Sequence, residues 1–272
     1  QLICEENSGA GIFSVNVELF ELNINPAAYV SLSSNGQGLC MNTDYTGAVT
    51  VDVNAATLKI EQNRSNGITG QSNPYLLNIH DNSTVNVDNN GGMGVNNFFI
   101  KVADSAFSVS GNRSHGASNV SLDASKSTLT FNSNAYIGLN ITKLNEGADA
   151  TTITNDTVMT ATGNGGPGIR FYGSGSSYRA EIEGSTVTAT GNGVGNVTYG
   201  YLVKPNDSGY WADVVARGTT DVTNSVITAG TWSLYNTGDA SSVFNVNEGS
   251  VVKVDYDKNF ANAKDLFDDW NS

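Results

Sequence analysis

Four times this chain spells nearly the same eight residues. Ser83-Thr84-Val85-Asn86-Val87-Asp88-Asn89-Asn90 returns as Ser105-Ala106-Phe107-Ser108-Val109-Ser110-Gly111-Asn112. It returns again as Ser127-Thr128-Leu129-Thr130-Phe131-Asn132-Ser133-Asn134, and later as Ser185-Thr186-Val187-Thr188-Ala189-Thr190-Gly191-Asn192. Strict alternation puts Val85 and Val87, Phe107 and Val109, Leu129 and Phe131 on one side of a strand. The closing Asn or Gly tolerates the left-handed backbone of a sharp turn. Ser83, Ser105 and Ser127 are 22 residues apart. That interval is too short for a strand-helix-strand unit and fits one turn of a solenoid. The expected fold is therefore all-β, a right-handed single-stranded parallel β-helix.

The inward pairs continue through Leu58 and Ile60, Met159 and Ala161, Val187 and Ala189, and Ile227 and Ala229. Stacked at strand spacing they make apolar ladders, with Thr84, Thr128 and Thr186 facing out. The turn residues Asn90, Asn112, Asn134, Asn164 and Asn192 recur at one point of the motif and are expected to stack as an amide ladder. Residues 1–29 are expected to form an N-terminal cap. There Phe13, Val15, Val17 and Leu19 share one face before the phase shifts to Phe20, Leu22 and Ile24. Coils follow over 30–254. Phe260, Ala263, Phe267 and Trp270 fall at helical spacing, so 255–272 reads as a short C-terminal helical cap or a linker. The whole of 1–272 then forms a single domain, because a solenoid lengthens without needing a second core.

A formal net charge of -13 argues against nucleic acid and anionic membrane surfaces. No apolar run approaches the length of a membrane-spanning helix. Gln1 in place of Met reads as the start of a processed chain or of an excised segment. Cys4 and Cys40 are the only cysteines, and their spacing permits either one disulfide or two free thiols. Asn-x-Ser/Thr triplets such as Asn63-Arg64-Ser65 are expected by chance in a chain this rich in Asn, Ser and Thr.

This coil pattern resembles the pectin-lyase-like superfamily of right-handed parallel β-helices. Within that superfamily it is most similar to the adhesive β-helix domains of bacterial surface proteins. The resemblance covers 30–254 and rests on architecture, not on a catalytic motif. It implies an extracellular protein, secreted or cell-wall associated, acting as a monomer on a polysaccharide or host glycoprotein. Hydrolysis in the polygalacturonase branch needs Asn-Thr-Asp, Asp-Asp, Gly-His-Gly and Arg-Ile-Lys. Here Asn42-Thr43-Asp44 stands without the Asp-Asp, and Ser114-His115-Gly116 is a poor third match. The two flanking carboxylates are missing, so Asn42-Thr43-Asp44 reads as a turn.

Repeat length grows from 22 residues to 28 between Thr157 and Ser185 and to 40 between Ser185 and Ser225. Extra residues leave a solenoid as loops and often mark its functional face. Arg170, Arg179, Lys204 and Arg217 cluster there in an acidic chain, and Tyr172, Tyr178, Tyr210 and Trp211 sit in or beside the two insertions. Rings with polar handles can stack on sugars, and the cations suit an anionic ligand. The expected function is non-enzymatic glycan or host-surface binding at these eight residues, with no cofactor. The alternative is a Ca²⁺-dependent polysaccharide lyase on an anionic glycan, with Arg170 or Lys204 as base among Glu181, Glu183, Asp207 and Asp213. A lesser alternative is ice binding through the outward threonines, which lysine, glutamate and asparagine interrupt. His80 and His115 are too far apart in the repeat to suggest a zinc site.

Overall fold

The computed structural model describes every residue except 16–18, 43–47, 71–74, 143–149, 172–177, 194–212, 217, 231, 235–242 and 255–272. Among the described residues it is all-β, without a helix. The expected C-terminal helix lies outside the described residues. Strands stack into long parallel sheets of ten and seventeen strands. The ten-stranded sheet is the first ladder, running from Leu2–Glu5 to Val251–Val254. The seventeen-stranded sheet is two further ladders joined at Ala117–Ser125, which pairs in both.

The chain visits the ladders in turn. Thr84–Asp88 lies in the first, Val95–Asn96 in the second and Phe98–Ala103 in the third, and then Ala106–Ser108 returns beside Thr84–Asp88. This order is consistent with a parallel β-helix. The inward residues of the first ladder fall where alternation predicts them. Val85, Val87, Leu129 and Phe131 are fully buried and Val187 nearly so, while Thr128 and Thr186 are exposed. Aromatic pairs stack along the interior, with Phe107 and Phe131 edge to face at 5.9 Å between ring centroids.

Two of the three corners carry ladders of side chains. At the corner between the first and second ladders, the residue before each turn asparagine is left-handed, as at Ser34, Gln62, Asn89 and Gly111. The asparagine then points inward and bonds the next coil. Asn112 donates through Nδ2 to Val87 O and to Asn134 Oδ1, both at 3.0 Å, and its own Oδ1 accepts from Asn90 N and Nδ2. The amide ladder begins earlier than expected, at Asn7, Asn35 and Asn63, and ends on the buried carboxylate of Asp213. The corner between the third and first ladders carries a hydroxyl ladder that the sequence reading did not assign. Ala56 N donates to Ser83 Oγ, Ser83 N to Ser105 Oγ and Ser105 N to Ser127 Oγ at 3.1–3.2 Å. These ladders satisfy backbone donors that the turns would otherwise bury unpaired.

Residues 1–29 contain three strands in the same three ladders, with Leu2 opposite Val30, Ile12 opposite Leu39 and Phe20 opposite Val49. The first coil therefore repeats the others. Phe13 and Leu19 both face outward, at 55% and 61% exposed, while Ile12 packs against the core. The second-ladder register decides this, because Ile12 must face in to stack on Leu39. Cys4 and Cys40 are free thiols, the first half-buried and the second buried, and burial pushes the Cys40 thiol up.

Candidate functional site

Among the described residues the third corner, between the second and third ladders, has no such side-chain ladder, and chain length varies there. Its connections run from the single residue Asn97, between Val95–Asn96 and Phe98–Ala103, to the stretch 142–150 between Leu139–Ile141 and Thr151–Thr154. The stretch 172–178 joins Ile169–Phe171 to Arg179–Glu183 at the same corner. In sequence, residues 194–212 lie between the asparagine corner at Asn192 and the second-ladder strand Val214–Ala216. The second ladder thus lies between the two places where the chain carries extra length.

The outward side chains of the second ladder form one polar file. Thr69, Asn96, Ser118, Asn140 and Arg170 are consecutive partners in register. Parallel pairing spaces them about 4.8 Å apart along the axis. Ser118 and Asn140 are buried although they point away from the core, and Asn140 Nδ2 donates to Ser118 Oγ at 3.3 Å. Asn140 Oδ1 is buried and accepts no hydrogen bond among the described residues. A buried amide oxygen left unpartnered is costly, so it marks a place where a ligand donor would be favourable.

His115 and Tyr136 stand beside this file on the asparagine corner, their rings 5.5 Å apart and tilted by 38°. Tyr136 is 39% exposed. Burial pushes the His115 imidazole below its usual pKa, and the positive charge of Arg170 lowers it further, so it is neutral at pH 7. Its Nδ1 accepts from Ile137 N at 3.3 Å. Arg64 and Arg113 are exposed at equivalent points of earlier coils. From Ser34 onward, the only acidic side chain described on this corner and the second ladder is Asp213, which is buried at the end of the amide ladder. The third ladder is the reverse, with Asp52, Asp123, Glu181 and Asp221 on its outward side.

The residues expected to bind ligand do not all meet. Arg170 joins the polar file. Arg179 is on the third ladder, where Nη2 pairs with Glu181 Oε1 at 3.1 Å and Nε with Asp221 Oδ2 at 2.8 Å. A hydrogen bond from Asn245 and then the Arg179 contacts hold the Asp221 carboxyl below its usual pKa, against an opposing effect of burial. Tyr178 does not present an exposed ring. It is 3% exposed, packs in the core and donates from its hydroxyl to Thr151 Oγ1 at 3.1 Å. The strand after the insertion begins at Arg179, so Tyr178 already occupies an inward position at its base. Tyr172, Lys204, Tyr210, Trp211 and Arg217 lie outside the described residues.

His115, Tyr136 and Asn140 were not singled out as binding residues from sequence. Their signal was available only as position, each falling at the same place in successive repeats as an uncharged or small residue. Among the described residues no group of three or more His, Cys, Asp or Glu is arranged to hold a metal ion. No protein-family model matches the chain, and neither a curated protein nor a solved structure does.

Proposed function

We propose that the chain is a right-handed, pectin-lyase-like parallel β-helix that binds a glycan or a glycosylated host surface outside the cell, without turnover. The observation that carries this reading is the polar file of the second ladder, ending at Asn140 and Arg170 with its buried, unspent Asn140 oxygen. Evenly spaced amides and hydroxyls match the hydroxyls of a sugar chain, a tyrosine ring at the rim offers stacking, and a guanidinium can grip a carboxylate or sulfate. Tyr172, Lys204, Tyr210, Trp211 and Arg217 remain proposed binding residues on their position in the sequence alone. Tyr178 is excluded by its burial.

A glycan array probed with the intact chain tests the reading. Arg170→Ala and Asn140→Ala should each weaken binding to the best ligand about tenfold, the loss of one buried polar partner. Full binding by both variants, with normal folding, would move the site away from the second ladder. The Ca²⁺-dependent lyase is the competing outcome of the same experiment. It requires unsaturated, ultraviolet-absorbing products from an anionic glycan, lost on chelation and in Arg170→Ala.

A further inference from the structure

The outer face of the first ladder is a second surface, chemically unlike the first. Thr130, Thr160, Thr188 and Thr228 stack in register, one per strand. The neighbouring column alternates Thr128, Val158, Thr186 and Val226, and its two valines are 44% and 40% exposed. No charged side chain points outward on this ladder between Asp88 and Lys253, in a protein of net charge -13. Within that span the ladder has no register shift.

The threonine hydroxyls of this face are unspent. Those of Thr130, Thr160, Thr188 and Thr228 make no hydrogen bond among the described residues. Elsewhere the hydroxyls of Thr152, Thr154 and Thr157 are each engaged, at 3.2, 3.3 and 2.7 Å. β-Branched side chains hold few rotamers, so the face is a pre-organised grid of methyls and hydroxyls. Its repeat is about 4.8 Å across strands and roughly 6.7 Å along them.

Several occupants fit poorly. A polyion finds no counter-charge. A sugar polymer finds no aromatic ring to stack on. A second copy of the chain would gain little, because five strands by five residues cover only about 400 Å² per partner, half of a standard interface. A rigid, uncharged lattice of hydrogen-bonding groups is what a repeating hydroxyl and methyl grid can match. We propose that this face docks onto the surface of ice, independently of the second-ladder site.

The test uses the full chain and two readouts, partitioning into slowly growing ice and the gap between melting and growth temperatures. The intact protein should enter the ice at least tenfold more than an inert protein and open a measurable gap. Thr160→Lys with Thr188→Lys should abolish both with the unfolding midpoint unchanged, while Asn245→Lys on the third ladder should leave both intact. Should the lysine pair unfold the chain, Thr160→Ser with Thr188→Ser removes only methyls and should cut ice entry severalfold. Exclusion of the intact protein from ice, or full ice entry by the serine or lysine pair, overturns the proposal. So does capture of the intact chain, but not the lysine pair, by crystalline cellulose or chitin, or a dimer that the lysine pair dissociates.

Discussion

Asp213 is the residue at which two columns of the structure meet. Its carbonyl accepts from Ile169 N at 3.0 Å, as Gly168 O accepts from Leu139 N one coil earlier, so by backbone it stands in the glycine column. Its side chain nevertheless reaches the place of the next asparagine, where Oδ1 accepts from Asn192 N and Nδ2 at 2.8 and 2.7 Å. A carboxylate can accept but cannot donate, which suits the last rung of an amide ladder and no other. Asp213→Asn keeps the acceptor and should cost less than about 1 kcal/mol. In the middle of the ladder the same chemistry fails. Asn112→Ala leaves the Asn90 donors short of a partner and should cost about 2–3 kcal/mol. Asn112→Asp should cost more than Asn112→Ala, because its carboxylate would face Val87 O and Asn134 Oδ1, both acceptors. Thermal unfolding of the three variants checks this order, and an Asp at 112 better tolerated than Ala would remove the directional ladder from the account.

At the scale of the repeating coil, two sets of glycines exist for different reasons. Gly67, Gly94, Gly116 and Gly138 have no left-handed φ, yet a Cβ on each would collide with the next coil. At Gly116 it would come within 2.7 Å of Asn134 Nδ2, and at Gly138 within 2.7 Å of Asn164 Nδ2. Gly163 is left-handed at φ 65°, but a Cβ there would meet only Ser133 Oγ at 3.7 Å. Gly116→Ala should therefore destabilise by about 1–3 kcal/mol through overpacking. Gly163→Asn should stay within about 1 kcal/mol, as asparagine tolerates the left-handed region and occupies the equivalent place at Asn89. Equal melting points for the two variants would count against this division. Sequence alone read glycine as a turn signal only where it closes the repeated motif, as at Gly111 and Gly191. The strand pattern was legible because alternation is a property of the strand itself, and the asparagine ladder because its members recur in step. The spatial glycines, the serine hydroxyl ladder and the rim residues His115 and Tyr136 were not, since each depends on what the adjoining coil sets against it. The direction of Phe13 was not legible for a related reason, being set by the Ile12–Leu39 pairing and not by the local pattern.

At the scale of the whole molecule, charge is sorted by face. The asparagine corner exposes Arg64 and Arg113, the second ladder carries the half-buried Arg170, and the third ladder carries most of the acid. Binding at the second ladder should accordingly weaken as salt rises from about 50 to 300 mM if the ligand is anionic, as screening shortens the reach of those cations. The two histidines sit on opposite sides of this division, and they should respond to pH with opposite sign. Burial lowers the pKa of His80, but hydrogen bonds to Asp81 at 2.8 Å and Asp52 at 3.2 Å, with the charges of both carboxylates, outweigh it and raise the pKa overall. Its stabilisation is complete below the unfolded value of about 6.5 and disappears as pH rises through the raised folded value. His115 is lowered by burial and then by Arg170, so the unfolded chain binds its proton more readily and stability falls as pH drops below about 6.5. Relative to the parent, His80→Gln should lose stability at pH 5 and recover toward pH 8. His115→Gln should gain on the parent as pH falls from 7 to 5, beyond any constant offset from its lost bond to Ile137 N. Unfolding midpoints of the parent and both variants across pH 5–8 measure the two differences. Curves that diverge from the parent in the same direction on acidification would show that the electrostatic surroundings assigned to one of these histidines are wrong.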